Sequence, residues 1–248
     1  MQRYFVENAI DNRFIITSDD RHHMVNVMRL KLGDQIVCSN PLGQSALCTI
    51  EEITDERVVA TVVKWEEGSK ELPVEVTIAS GLPKGDKLEL VIQKGTELGA
   101  KRFVPFTAAR SVVKWDEKKA AKKVERWEKI AKEAAEQSHR TQLPEIISPV
   151  NLKTLIQLSE SYTHKLIAFE EDAKQGEASV LARTMQELKR GDSLLIVFGP
   201  EGGLTEEEVN LLKEHHFQSC GLGPRILRTE TAPLYALSAV SYHFELMR

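Results

Sequence analysis

The sequence predicts an α/β protein that begins with a small all-β domain over residues 1–70. Three features predict this class. Short runs rich in β-branched residues fill the first domain, a polar linker follows at 64–73, and apolar runs then alternate with helical patterns. Strands separated by helices of this length are typical of a mostly parallel sheet with helices on both faces. The second domain is therefore expected to span residues 73–248.

The N-terminal strands are predicted from residue type and from the turns that separate them. Val, Ile and Thr recur within 35–39, 45–50 and 57–63. Gly33-Asp34 and Pro41-Leu42-Gly43 supply turns. The expected product is a small barrel.

The second domain is predicted to begin with a strand at 74–79. Further strands are expected at 102–106, 165–169 and 193–198, with helices at 86–98 and 116–140. In the longer helix Val124, Trp127 and Ile130 fall on one face, as in a helix packed against a sheet.

The charge distribution is compatible with a polyanionic partner but does not require one. The chain has a net charge of −4, which argues against nonspecific coating of nucleic acid. Residues 101–140 nevertheless hold 12 Lys or Arg against 6 Asp or Glu. Such a segment is suited to docking at one site on a polyanion, or it is simply a solvated helix face.

Composition and motifs exclude several classes of protein. No apolar run reaches the roughly 18 residues that a membrane span needs, and no signal-peptide pattern opens the chain. The three cysteines lack Cys-x-x-Cys spacing, and no carboxylate stands at ligand spacing from the paired histidines. We expect a cytoplasmic protein with reduced thiols, no metal site and no membrane association.

The first candidate site is the loop Phe198-Gly-Pro-Glu-Gly-Gly203, which follows a predicted strand. Thr205 and Glu208 then fit a capping box, so a helix begins there and offers free backbone N–H groups. The loop lacks the Lys-Ser/Thr ending of a phosphate-binding P-loop. Acidic residues in the first turn would also repel phosphate, so a small neutral or zwitterionic ligand fits better. The alternative is an ordinary strand-to-helix turn.

The second candidate site is the loop at 221–232, in which Arg228 and Glu230 stand two residues apart. Pro233 is tolerated only in the first turn of a helix, so a helix is predicted from about Ala232. Arg228 is able to stabilise negative charge on a substrate oxygen, and Glu230 to orient Arg228 or accept a proton. The alternative is a structural Arg–Glu pair that caps the helix.

Four motifs in order resemble those of one enzyme family. They are Gln93-Lys-Gly-Thr-Glu-Leu-Gly99, Glu133-Ala-Ala-Glu-Gln-Ser-His-Arg140, Gly199-Pro-Glu-Gly-Gly203 and Leu222-Gly-Pro-Arg-Ile-Leu-Arg-Thr-Glu-Thr-Ala232. Together with His22-His23 and residues 28–34, they resemble the ribosomal RNA small subunit methyltransferase E family. This family consists of bacterial SPOUT-superfamily enzymes that methylate N3 of a uridine in 16S rRNA. The resemblance covers essentially the whole chain.

The resemblance implies a PUA-like β-barrel followed by a SPOUT-type α/β methyltransferase domain with a C-terminal trefoil knot. It also implies a homodimer with the pocket close to the dimer interface, and S-adenosylmethionine as cofactor. The catalytic residues carried over are Arg228 and Glu230. The implied cofactor-binding residues are Phe169, Gly199, Pro200, Glu201, Gly202, Gly203, Leu222, Gly223, Ile226 and Leu227.

The expected partner is 16S rRNA within the small ribosomal subunit. Candidate RNA-binding residues are Arg3, Arg13, Arg29, Arg110, Lys114, Arg126 and Arg140, because arginine and lysine are able to contact phosphates. Two alternatives stay open: a noncatalytic RNA-binding factor for ribosome assembly, and a SPOUT methyltransferase that acts on another RNA.

Overall fold

The computed structural model describes residues 1–7, 9–10, 12–113, 115–169 and 179–247, which form two compact units. The first unit joins Met1–Glu71 to Lys132–Leu143, and the second joins Leu72–Ala131 to the chain from Pro144 onward. The segment at 132–143, which the sequence-based limits assign to the second domain, thus belongs to the first unit.

The first unit contains a six-stranded sheet in the order β1-β4-β5-β6-β3-β2. Its strands are β1 (Arg3–Phe5), β2 (Ala9–Ile10), β3 (Arg13–Thr17), β4 (Gln35–Ser39), β5 (Ser45–Ile53) and β6 (Arg57–Trp65). β1 and β4 are parallel, and the other described pairs are antiparallel. The sheet packs on a core that includes Tyr4, Phe14 and Ile36. The strands predicted at 35–39, 45–50 and 57–63 are confirmed.

Two ion pairs hold the segment at 132–143 within the first unit. The Lys132 ammonium lies 2.5 Å from a carboxylate oxygen of Asp20, in the short helix α1 (Ser18–His22). The Arg140 Nε donates to Glu71 Oε2 at 3.0 Å, and the Thr141 backbone N–H donates to Glu71 Oε1 at 2.9 Å. Burial raises the pKa of Glu71, but hydrogen bonds from Arg140 and the backbone outweigh it, so the pKa lies below its ordinary value.

The second unit contains a parallel sheet in the order β10-β8-β7-β12-β11-β13, with β9 paired to β8. Its strands are β7 (Glu75–Gly81), β8 (Arg102–Thr107), β9 (Glu145–Ile146), β10 (Val150–Asn151), β11 (His164–Ala168), β12 (Ser193–Phe198) and β13 (Gln218–Cys220). All the pairings described for this sheet are parallel, as the alternation of apolar runs and helical patterns predicts.

Helices cover both faces of this sheet. They are α2 (Lys87–Glu97), α3 (Glu117–Gln137), α4 (Leu152–Leu158), α5 (Ser179–Glu187), α6 (Glu206–Glu214) and α7 (Thr231–Ser241). Neighbouring strand residues point to opposite faces: Ile196 joins the core under α2 and α7, whereas Val197 joins the core under α4 and α6. No helix in the described ranges is both long enough and apolar enough to cross a membrane.

The strand register brings the predicted site loops to one edge of the sheet. Ala168 at the end of β11 pairs with Phe198 at the end of β12 and with Cys220 at the end of β13. The chain after each strand therefore emerges at the carboxyl edge, where open parallel sheets bind ligands. The trefoil knot implied by the resemblance stays a prediction.

Candidate active site

A cavity of about 570 Å³ lies at this carboxyl edge and is built mainly from the two predicted loops. It is lined by Phe169, Gly199, Pro200, Glu201, Gly202, Gly203, Ile226, Leu227, Arg228 and Glu230, together with Lys87, Arg110, Ala168, Phe198, Leu204, Glu206, Thr229 and Ala232. A smaller cavity of about 90 Å³ shares Phe169, Ile226 and Leu227 and adds Leu222 and Gly223. All twelve cofactor and catalytic residues carried over from the family thus line these two cavities.

The first loop is packed so closely that it requires glycine. A Cβ at Gly199 would lie 2.9 Å from the backbone carbon of Gly203 and 2.9 Å from the backbone nitrogen of Leu204. Gly203 adopts φ +70°, in the left-handed region that favours glycine. The loop is therefore a fixed backbone surface rather than a flexible connection.

The capping box predicted at the start of α6 is present. The Thr205 side chain accepts from the Glu208 N–H at 3.2 Å, and Glu208 Oε2 accepts from the Thr205 N–H at 2.9 Å. The other Glu208 oxygen accepts from the Ala109 N–H at 2.8 Å. One buried carboxylate therefore fixes the loop, the helix start and the segment after β8.

Arg110 holds the first loop from the same segment. Its Nη1 donates to the Gly202 carbonyl at 2.9 Å and to the Leu204 carbonyl at 3.3 Å. These hydrogen bonds give Arg110, an RNA-contact candidate, a definite role inside the site.

The second loop is tied directly to the first. Thr229 Oγ1 donates to the Gly199 carbonyl at 2.8 Å. The Ala232 N–H donates to the Arg228 carbonyl at 3.0 Å, which starts α7 at Thr231 and places Pro233 in its first turn, as predicted. A displacement of either loop is therefore passed on to the other.

The charged groups of the site surround Glu230. Arg228 Nη1 lies 4.0 Å from Glu230 Oε1, and the Arg228 side chain is 83% exposed. Lys87 Nζ lies 3.8 Å from Glu230 Oε2 and 2.8 Å from Glu201 Oε1. The hydrogen bond to Glu201 raises the pKa of Lys87. Burial raises the pKa of Glu201. Hydrogen bonds from Lys87 and from backbone N–H groups outweigh this effect, so the pKa of Glu201 lies below its ordinary value.

Lys87 is a residue of the site that was not predicted from the sequence. It stands at the start of α2, more than 100 residues before either loop, and no motif marks it. It reaches the site because β7, which precedes α2, pairs with β12, which precedes the first loop. Only the strand order reveals this proximity.

Two of the RNA-contact candidates are buried. Arg3 is 4% exposed and donates to Ser39, Ser45 and Glu66. Arg140 is 3% exposed and is bound to Glu71. The structure thus places both guanidinium groups in internal ion pairs, where an RNA phosphate would not reach them.

The other RNA-contact candidates are nearer to solvent. Arg13 and Arg29 are exposed. Arg126 has a side chain that is 62% exposed and donates to Glu89 at 2.7 Å. Lys114 lies outside the described residues.

Family comparisons define the class of this protein. Residues 70–241 match the model for the RNA methyltransferase domain, and residues 16–63 match the model for the RNA methyltransferase PUA domain. The chain is thus an RNA methyltransferase with a PUA domain. It is 55% identical, over its whole length and 99% of the relative, to ribosomal RNA small subunit methyltransferase E of Bacillus subtilis. The chain belongs to the ribosomal RNA small subunit methyltransferase E family.

Solved structures support the same assignment. The Neisseria gonorrhoeae ribosomal RNA small subunit methyltransferase E bound to S-adenosyl methionine is 26% identical, with a TM-score of 0.82 over 97% of each chain. A putative methyltransferase of Legionella pneumophila in complex with bound cofactor SAM is 28% identical, with a TM-score of 0.81 over 96% of each chain. The predicted fold class, a PUA-like domain followed by a SPOUT-type α/β methyltransferase domain, is confirmed.

Proposed function

We propose that this protein transfers the methyl group of S-adenosylmethionine to N3 of one uridine in 16S rRNA of the small ribosomal subunit. The observation that carries the proposal is the cavity at the carboxyl edge, where two glycine loops meet beside Arg228 and Glu230. Membership of the ribosomal RNA small subunit methyltransferase E family supports the substrate class.

The cavity fits S-adenosylmethionine in size and chemistry. About 570 Å³ is within the range of small-molecule sites. Backbone groups of the two loops are suited to adenine edges and a zwitterion, and Glu201 and Glu206 favour a cofactor that carries positive charge and no phosphate. Two relatives have been solved with this cofactor. When bound, it supplies a methyl group on a positively charged sulfur, so the transfer itself needs no metal.

The residues beside the cavity fit the work that a uridine substrate demands. N3 carries an imide proton and becomes a good nucleophile only when that proton leaves, which puts negative charge on the two flanking carbonyl oxygens. Arg228 stabilises this charge. Glu230 orients Arg228 or assists proton loss, and its buried Oε2 has no hydrogen-bond partner among the described residues.

The target base has to leave any stack to reach the cavity. The proposed RNA contacts are the exposed Arg13 and Arg29, which are able to hold phosphates while the base is presented. Arg126 is exposed but already paired with Glu89. A noncatalytic assembly factor would leave the cavity and its loops without a use.

The proposal includes a homodimer in the cytoplasm, where ribosomal subunits are assembled. Its support is a set of exposed apolar side chains on α7, on the turn that follows it and on the second loop: Ile226, Tyr235, Tyr242, Leu246 and Met247. Sedimentation equilibrium checks it, with twice the chain mass of 27.9 kDa as the expected result.

The test is transfer of labelled methyl from S-adenosylmethionine to small subunits, naked 16S rRNA, large subunits and tRNA from cells that lack this gene. N3-methyluridine in small-subunit RNA is the expected product. Label confined to tRNA or large subunits, or no transfer to any of them, would overturn the proposal. Arg228→Ala should bind cofactor normally and lose roughly 100-fold or more in rate, and a wild-type rate would remove Arg228 from its proposed role.

A further inference from the structure

Lys87 places a positive charge between two carboxylates of the cavity. Its ammonium lies 2.8 Å from Glu201 Oε1 in the first loop and 3.8 Å from Glu230 Oε2 in the second. The side chain is 35% exposed. One residue from α2 thus links both loops through charge.

The Glu201 contact fixes where the ammonium stands. Glu201 Oε1 accepts from Lys87 Nζ and also from the Lys84 backbone N–H, at 3.1 Å. Hydrogen bonds to an ionised group are shorter and stronger than neutral ones. An ammonium has three N–H donors, so two stay available after the bond to Glu201.

Glu230 has one cation near each carboxylate oxygen, and the two cations differ. Arg228 is 83% exposed, so water and salt screen its charge. Lys87 is less exposed and tethered, and it stands beside the buried Oε2. Lys87 is therefore the better-fixed counter-charge for the oxygen nearest the protein interior.

We propose that Lys87 is a positioning residue that holds the Glu230 carboxylate in place while the uridine imide N–H is presented to it. This inference rests on the proposed methyl transfer and adds a residue outside the four motifs that resemble the family. Lys87 acts through Glu230 and not through the cofactor. The Lys84 N–H still holds Glu201 when Lys87 is removed, so the loss of Lys87 should lower the rate of transfer far more than the cofactor affinity.

The first test compares kcat, KM and cofactor affinity in Lys87→Met, Lys87→Arg and the matched control Lys84→Met. Lys84 is an exposed lysine three residues away whose backbone, not its side chain, contacts Glu201. We expect Lys87→Met to lower kcat by about tenfold to 100-fold, with cofactor Kd by calorimetry within about twofold of wild type. Lys87→Arg should recover most of the rate, and Lys84→Met should behave as wild type. An unchanged kcat in Lys87→Met would overturn the inference.

The second test separates action through Glu230 from a general structural role. If Lys87 acts through Glu230, then adding Lys87→Met to a Glu230→Gln variant should lower kcat hardly any further. An equal loss in both backgrounds would overturn the inference. In a Glu201→Gln background, by contrast, Lys87→Met should still lower kcat.

A third test restores the positive charge at position 87 by chemical modification and needs no double variant. Lys87→Cys treated with 2-bromoethylamine regains an ammonium of nearly lysine length, whereas iodoacetamide adds a neutral group. Cys38, Cys48 and Cys220 are buried, so treated wild-type protein serves as the control. Rate recovery with the amine alone supports the inference, and equal rates after the two reagents would contradict it. A wild-type protein that methylates no RNA would refute the proposed function itself, and this inference with it.

Discussion

At the residue scale, single side chains and single glycines decide the geometry of the site. Gly199 allows the loop to fold against its own backbone, Thr229 ties the two loops together, and Arg110 holds two carbonyls of the first loop. All of these contacts join one part of the chain to another. The site is preorganised, which reduces the cost of binding.

Gly199→Ala should weaken cofactor binding. The new methyl group would stand 2.9 Å from backbone atoms that have no freedom to rotate away, so the loop must shift. We expect a loss of cofactor affinity of about tenfold or more by calorimetry. Gly191→Ala is the matched control, since Gly191 has φ +88° and lies in the turn before β12, at the opposite edge of the sheet. It should lose stability by roughly 1–2 kcal/mol and keep its affinity. Equal affinities in the two variants would contradict this prediction.

Glu71 should make the first unit sensitive to acid. Its pKa is lowered in the folded protein, so its contribution to stability is complete above the ordinary carboxyl pKa and is lost as pH falls through the lowered value. Glu71→Gln should cost roughly 3 kcal/mol of unfolding free energy at neutral pH, because the buried Arg140 loses the carboxylate that Glu71 supplies. The variant should also lose less stability than wild type between neutral and acidic pH, as measured by urea unfolding.

Glu52→Gln is the control for that experiment. Glu52 also pairs with an arginine of the first unit, Arg57, but both side chains are about half exposed. Its removal should change stability far less than that of Glu71. An equal loss of unfolding free energy in the two variants would show that burial of the Glu71–Arg140 pair does not determine its contribution to stability.

At the element scale, each loop of the site is bounded by a strand end and a helix start. β12 ends at Phe198 and α6 begins after Thr205, so seven residues, 199–205, connect the strand to the helix. The helix start is fixed by the Thr205–Glu208 capping box, and the strand end by pairing on both sides. Hydrogen bonds thus hold both ends of this short loop.

Thr205→Ala should destabilise α6 at its first turn. The Glu208 N–H loses its acceptor, which costs about 1 kcal/mol for a typical N-cap residue. Thr205→Ser keeps the hydroxyl and should stay close to wild type. Urea unfolding of the three proteins measures the difference, and a serine variant as unstable as the alanine variant would assign the effect to the lost methyl group instead.

Elements with a strong local signal could be predicted from the sequence, whereas contacts set by strand order could not. The Thr205 capping box, Pro233 in a first turn and the β-branched strand at 35–39 are all local patterns, and the structure contains each of them. The 3-residue strands β1 and β13 are too short to give such a signal. Lys87 and Arg110 reach the site only because β7 pairs with β12 and β8 pairs with β7, and no local pattern encodes that order.

At the scale of the whole molecule, burial in internal ion pairs decides which arginines are available to RNA. The chain carries 33 basic and 37 acidic residues, so many cations are paired internally, as Arg3 and Arg140 are. Residue type alone does not separate paired from unpaired arginines. Burial does, and it leaves Arg13 and Arg29 as the candidates of the first unit.

Arg13→Gln and Arg29→Gln should each reduce the salt dependence of RNA binding. A phosphate contact releases about one counterion, so the slope of log K against log salt should fall by about 1 for each substitution. Arg57→Gln is the control, because Arg57 is exposed but paired with Glu52. Filter binding to 16S rRNA over a salt series gives the slopes. If all three variants keep the wild-type slope, Arg13 and Arg29 do not contact phosphates.

The first unit takes residues from two separated stretches of chain, and this constrains its synthesis. When Glu71 has left the ribosomal exit tunnel, its partner Arg140 has not yet been translated, and neither has Lys132, the partner of Asp20. At about 5–20 residues per second, the wait lasts several seconds. During this interval the N-terminal strands lack the ion pairs of Asp20 with Lys132 and of Glu71 with Arg140. The first domain to be made is therefore completed only after more than half of the chain has appeared.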